Sequence, residues 1–215
     1  MTARRVLFLC SRRNLAKHGR RLGPTLLALR RRRAAVEETI MSTTHNVRVD
    51  NARQTAEKAK SDPSAAQLKV DLAGDWRVDE TQPQFGGTVK FAKGETVFEA
   101  DFPPFLSGDG RAPSPLIYCF WGALSCYAST FAMQAAMAGV NITALRSRLR
   151  LNVDFRGALG VAEVVPLDTF QFEIEVETAA SDAEIARVKQ LADERCPAIW
   201  AMDHQVPHTT EVRRA

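Results

Sequence analysis

The 25 residues from Leu116 to Val140 carry no charged side chain, and this run narrows the folds open to the chain more than any other feature. A helix of that length spans about 37 Å, enough to cross a bilayer. Yet the run contains Gly122, Ser125, Ser129, Thr130, Gln134 and many Ala, so it is only moderately apolar. Its start carries Pro113-Ser114-Pro115 where a membrane helix would have basic flanking residues. A helix apolar on all sides is equally at home in the centre of a soluble domain or dimer. Burial is the favoured reading, and no stable membrane insertion is expected.

On either side of this run the apolar spacing changes period. Residues 46–61 (NVRVDNARQTAEKAKS) read as a short polar helix, ended by Asp62-Pro63. From Leu68 the period is two: Leu68, Val70, Leu72, Trp76 and Val78 share one face, and Arg77 takes the other. Gly86-Gly87 opens a second strand with Val89 and Phe91 on one side, and Lys93-Gly94 turns into a third, TVFEADF. The Pro- and Gly-rich stretch from Pro103 to Pro115 is a loop, and Gly139 suits the end of the long helix. Beyond it, LRSRLRLNVDF reads as a strand with apolar Leu145, Leu149, Leu151, Val153 and Phe155. FQFEIEVE alternates Phe170, Phe172, Ile174 and Val176 with Gln171, Glu173, Glu175 and Glu177, the pattern of antiparallel strands with one wet face. A helix starts at Ser181-Asp182 with Ile185, Val188, Leu191 and Ala192 apolar. It stops at Cys196-Pro197, because the residue before a proline resists helical angles. A last strand or tail is expected from about Val206 to Val212. The expected class is α+β: antiparallel sheets packed around a long buried central helix, in the order β-β-β-α-β-β-α.

At 215 residues and 45% hydrophobic, the chain can fill one substantial core or two small ones. Its charge is unevenly placed. Residues 1–40 hold ten Arg and one Lys against two Glu, a net of +9, so residues 41–215 carry a net of −5. Residues 1–40 are therefore read as a basic extension, 41–66 as a short helical lead-in and 67–215 as the main domain. Three readings of the basic head stay open: an organelle-targeting segment, a non-native or upstream stretch, and an arm for nucleic acid or anionic lipid. A twin-Arg export signal at Arg4-Arg5 fits poorly, since the apolar stretch from Val6 to Cys10 has only five residues. The acidic body argues against a nucleic-acid-binding domain. A cytoplasmic location is expected, with organelle targeting through residues 1–40 as the alternative.

The candidate chemistry is that of thiols. The chain has no phosphate-binding glycine loop, no GxGxxG and no nucleophile elbow. Its four cysteines, Cys10, Cys119, Cys126 and Cys196, fit no zinc spacing. His204 and His208 are separated by Pro207, which breaks the facing geometry of a helical pair, so no metal site is expected there. Cys119 and Cys126 lie seven apart on one helix face, about 10 Å apart along the axis, too far for a disulfide. Cys126 sits among small residues that leave room for a substrate, and Cys196 ends another element and is free to face it. Against this stands the plain alternative that a free cysteine only fills space in a core.

Five segments in order carry a resemblance: FEADFPPFLSGDGRAPSP, LIYCFWGALSCYASTFAMQAAMAGVNI, LNVDFRGALGV, the Phe/Glu-alternating strand, and the helix ending in Cys196-Pro197. Together they resemble the OsmC/Ohr family over roughly residues 65–212. The first family cysteine lies eleven residues after the proline opening the long helix, as Cys126 lies after Pro115; the second begins a Cys-Pro pair, as Cys196 does. The resemblance implies an OsmC-like fold and an intertwined homodimer with sites at the subunit interface. It also implies Cys126 and Cys196 as catalytic residues of an organic hydroperoxide reductase, with no bound cofactor and a dithiol as reductant. Peroxidase members look to hold an Arg from an early strand, for which Arg77 on the first strand is the candidate here, with a Glu one or two residues after that proline. Leu116 and Ile117 occupy those positions. The departure keeps a second reading in play, an OsmC-fold binding or structural protein without turnover.

Overall fold

In this computed structural model the described residues are 43–214; the basic head and Cys10 lie outside them. The class is α+β, with small antiparallel sheets and four helices. A two-residue hairpin, β1 (Thr43–Thr44) and β2 (Val47–Arg48), leads into α1 (Val49–Ala59). The hairpin turn uses left-handed backbone at His45 and Asn46, φ 36° and 68°, and sequence spacing gave no sign of it. α1 is shorter than the expected 46–61, since β2 occupies its first residues. Asp62 then caps the 3-10 turn Pro63–Ala66, its carboxylate accepting from the Ser64 N–H.

β3 (Asp75–Trp76), β4 (Phe85–Phe91) and β5 (Gly94–Ala100) form one antiparallel sheet in that order. The strand expected from Leu68 shrinks to β3. Residues 68–74 have no ladder partner, and Leu68, Val70 and Val78 are 86%, 70% and 90% exposed. A period of two reports which side chains share a face; it says nothing about which edge the backbone pairs with. Gly87 explains itself by contact: a Cβ there would lie 2.3 Å from the Ala73 carbonyl oxygen.

α2 (Pro115–Met137) is the long helix, and Gly139 beyond its end has φ +76°, the left-handed geometry glycine adopts freely. Its buried stripe is Ala123, Tyr127, Thr130, Phe131, Gln134, Ala135 and Ala136, while Ile117 and Trp121 at its N-terminal end are exposed. In the single chain the burial thus covers one face and deepens toward the C-terminal half. α2 is also the one helix among the described residues long and apolar enough to cross a membrane. Here its stripe packs on protein, and buried Gln134 accepts from Arg195 at 2.8 Å.

β6 (Ile142–Arg150) pairs with β7 (Gln171–Thr178), and the alternation is laid out as a ladder. Leu145 faces Val176 and Leu149 faces Phe172 toward the core, while Arg146 pairs with Glu175 and Glu177, and Arg150 with Glu173, on the wet face. β6 ends five residues before Phe155, where Asp168 binds the Asn152 backbone and side chain and turns the chain. α3 (Asp182–Arg195) starts in a capping box between Ser181 and Glu184. Ser181→Ala removes the acceptor for the Glu184 N–H and should lower the melting temperature by about 2–4 °C, checked by thermal circular dichroism. Pro197 ends α3 and opens α4 (Pro197–Asp203); of the strand or tail expected over 206–212 the structure has the tail, since residues 205–214 form no helix or strand. The core joins Tyr127, Phe131 and Ala135 of α2 to Val188 and Ala192 of α3 and to Cys196 just past its end, with Val140 and Ile142 beneath.

Candidate functional site

Cys126 points from the middle of α2 toward the start of α4, and Cys196 reaches it from the junction of α3 and α4. Their sulfurs are 3.7 Å apart, both as free thiols, with the Cys196 S–H donating to Cys126 Sγ. Pro197 creates this approach. It forces Cys196 out of the helical region, to φ −75° and ψ 117°, so the chain turns and presents the thiol inward. Cys119 is exposed, one further pair of turns up α2, and takes no part.

The two thiols differ in access. Cys196 is 1% exposed, whereas Cys126 is half-buried. Burial pushes the Cys126 thiol up from its ordinary value. The Ala198 backbone N–H, bonding to its sulfur, and the Thr130 hydroxyl pull it back down, while Cys196 pushes it further up. In the isolated chain Cys126 should therefore react with iodoacetamide at pH 7 more slowly than free cysteine, and accelerate only at a more alkaline pH than free cysteine does. Peptide mass spectrometry over a pH series checks this; a rate matching free cysteine at pH 7 would show that a cation overrides burial. The sign for stability is the same. A thiol raised in the fold contributes stability below its unfolded value, and that contribution fades as pH climbs through the folded one.

A set of side chains that sequence spacing did not single out frames the pair. The Tyr127 hydroxyl donates to Asp193 Oδ1 at 2.6 Å, and the Tyr127 ring packs on Phe172 at 5.3 Å. Burial holds the Tyr127 hydroxyl well above the ordinary phenol range, aided by Asp193. Nothing marks Asp193 in the sequence except its place one turn before Cys196.

Arg77 does not reach either sulfur within the chain. Its guanidinium donates to Glu99 Oε1 of β5 at 2.7 Å and to the Pro83 carbonyl oxygen at 3.5 Å. The Tyr118 hydroxyl in turn binds the Glu99 carbonyl oxygen at 2.7 Å, and its ring stacks on Phe98. Leu116 and Ile117 offer Arg77 no helix-start acid; its guanidinium instead passes over Gly86 of β4 to Glu99 on β5. His204 binds the Trp200 carbonyl oxygen and stacks on its ring, and His208 lies in the tail. Among the described residues no group of three or more His, Cys, Asp or Glu is placed to hold a metal ion.

Residues 108–211, which contain α2, both sulfurs and α4, match the family model described as OsmC-like protein. Residues 108–211 are thus OsmC-like. No curated protein matches it in sequence. Among solved structures, the OsmC-like domain is similar to an OsmC-like protein from Mycoplasma pneumoniae at 17% identity and TM-score 0.49, covering 64% of this chain and 89% of that one. It is also similar to an organic hydroperoxide resistance protein OsmC from Legionella pneumophila at 15% identity and TM-score 0.42, covering 63% and 91%. The identification of the OsmC-like domain rests on the family match.

Proposed function

We propose that the chain is a thiol-dependent peroxidase that reduces organic hydroperoxides through Cys126 and Cys196. The observation that carries this reading is the 3.7 Å approach of two free thiols held on separate elements. Their unequal exposure supports a division of roles in which half-buried Cys126 meets substrate and buried Cys196 meets Cys126. The Cys126 thiolate attacks the O–O bond of the hydroperoxide, taking one oxygen as sulfenic acid and releasing an alcohol. Cys196 then displaces hydroxide from that sulfur, which leaves as water, and a disulfide remains. An external dithiol returns both thiols, so the thiol pair carries the electrons and no bound cofactor is needed.

Apolar surroundings favour an organic hydroperoxide over hydrogen peroxide. Leu68, Val70, Ile117 and Trp121 are exposed in one chain, at 86%, 70%, 54% and 63%, and a second copy forming a homodimer would cover such a surface. In this reading Arg77, anchored by Glu99, is the cation that favours the thiolate at the interface, and the protein works in the cytoplasm. One observation favours the alternative of a non-catalytic OsmC-fold binding protein: the acid after Pro115 is missing, and burial holds Cys126 toward the neutral thiol. Stopped-flow consumption of cumene hydroperoxide with a dithiol reductant separates the two. Consumption no faster than in Cys126→Ser would sink the peroxidase reading.

A further inference from the structure

The 3.7 Å gap between sulfurs must close to about 2.05 Å for a disulfide. What sets the gap is how α3 sits on α2. Most of that contact is apolar: Phe131 and Ala135 against Val188 and Ala192. Such packing is non-directional and permits small slides of one helix along the other. Two hydrogen bonds do fix the register. Tyr127, adjacent to Cys126, donates to Asp193, three residues before Cys196, at 2.6 Å. Arg195, adjacent to Cys196, donates to buried Gln134 at 2.8 Å. The Tyr127 ring cannot swing away, being 4% exposed and packed on Phe172, and Lys189 holds the Asp193 carboxylate from the next turn.

We propose that Tyr127 and Asp193 are positioning residues of the thiol pair, with Gln134 and Arg195 as a second tie. They hold the Cys196 sulfur over Cys126 and so raise its effective concentration there. The inference rests on the peroxidase reading for its biological use. The step it governs is closure: the sulfenic S–O bond breaks, the S–S bond forms, and the Cys196 proton leaves with the hydroxide as water. Peroxide attack on Cys126 is a separate step that these ties do not form.

The test uses the full chain with Tyr127→Phe, Asp193→Asn and the double variant. The thiol–disulfide equilibrium of Cys126 and Cys196 is read in glutathione buffers by alkylation and mass spectrometry. Sulfenic acid is trapped with dimedone after one equivalent of cumene hydroperoxide. Each single variant should weaken disulfide formation against glutathione about tenfold, and the double no more than either single. In Tyr127→Phe the dimedone adduct on Cys126 should exceed that in the unmodified chain. A merely structural role would lower the melting temperature and leave the glutathione equilibrium within twofold; that result overturns the proposal, as would full additivity. If Tyr127→Phe does not fold, Asp193→Asn carries the test, since it keeps a side chain of the same shape. The glutathione readout needs no peroxide, so it judges the ties even where hydroperoxide consumption fails and the peroxidase reading falls.

Discussion

Replacing Cys126 by Ser is expected to cut hydroperoxide consumption at least about a thousandfold, to the uncatalysed background. The oxygen of Ser is a poor nucleophile toward peroxide at neutral pH, and among the described residues no other thiol is placed to substitute. Cys119 is exposed but lies on the far side of two helical turns, and Cys196 is buried at 1% exposure. Replacing Cys196 by Ser has a different signature. A single oxidation of Cys126 should still occur, giving a sulfenic acid that dimedone traps in stoichiometric amount, while turnover with the dithiol slows. Stopped-flow kinetics and intact mass distinguish the two variants. Equal loss in both, with no trapped sulfenic acid in Cys196→Ser, would show that the roles are not divided this way.

The largest expected effect on stability comes from Phe131→Ala. Phe131 is 2% exposed and sits where α2, α3 and the β6–β7 hairpin meet. Truncation loses the transfer energy of the ring and leaves a cavity that flanking Ala135 and Ala192 are too small to fill. Such changes cost about 3–5 kcal/mol, a large share of the 5–15 kcal/mol typical of a whole domain. The melting temperature should drop by roughly 10 °C. Urea unfolding at fixed protein concentration, needed because self-association shifts apparent stability, checks it. A loss under about 1 kcal/mol would place Phe131 outside the energetic core.

How far these features were legible depends on whether they are local. The helix start at Ser181-Asp182, the glycine after α2 and the Cys-Pro stop of α3 are each local signals, and the structure has all three. The alternation in β7 was legible for the same reason. The partner of residues 68–74 was not, because pairing joins positions far apart in sequence. α4 escaped notice too: seven residues are too few for a helical period, and Pro197 reads as a stop as readily as a start. The thiol pair was implied by the family resemblance, whereas Tyr127–Asp193, 66 positions apart, leaves no local trace.

The junction at Cys196-Pro197 has a mechanical consequence. Cys196 is the joint between two helices, its N–H bonded back to Ala192 and its carbonyl oxygen accepting from the Trp200 N–H. Drawing its sulfur toward Cys126 therefore turns a joint instead of unwinding a helix interior. α4 is the short lever on that joint, and it carries Trp200, which is 55% exposed and stacked on His204. In the proposed mechanism, closing the disulfide would turn this joint, and the exposed ring of Trp200 rides on the helix that begins there.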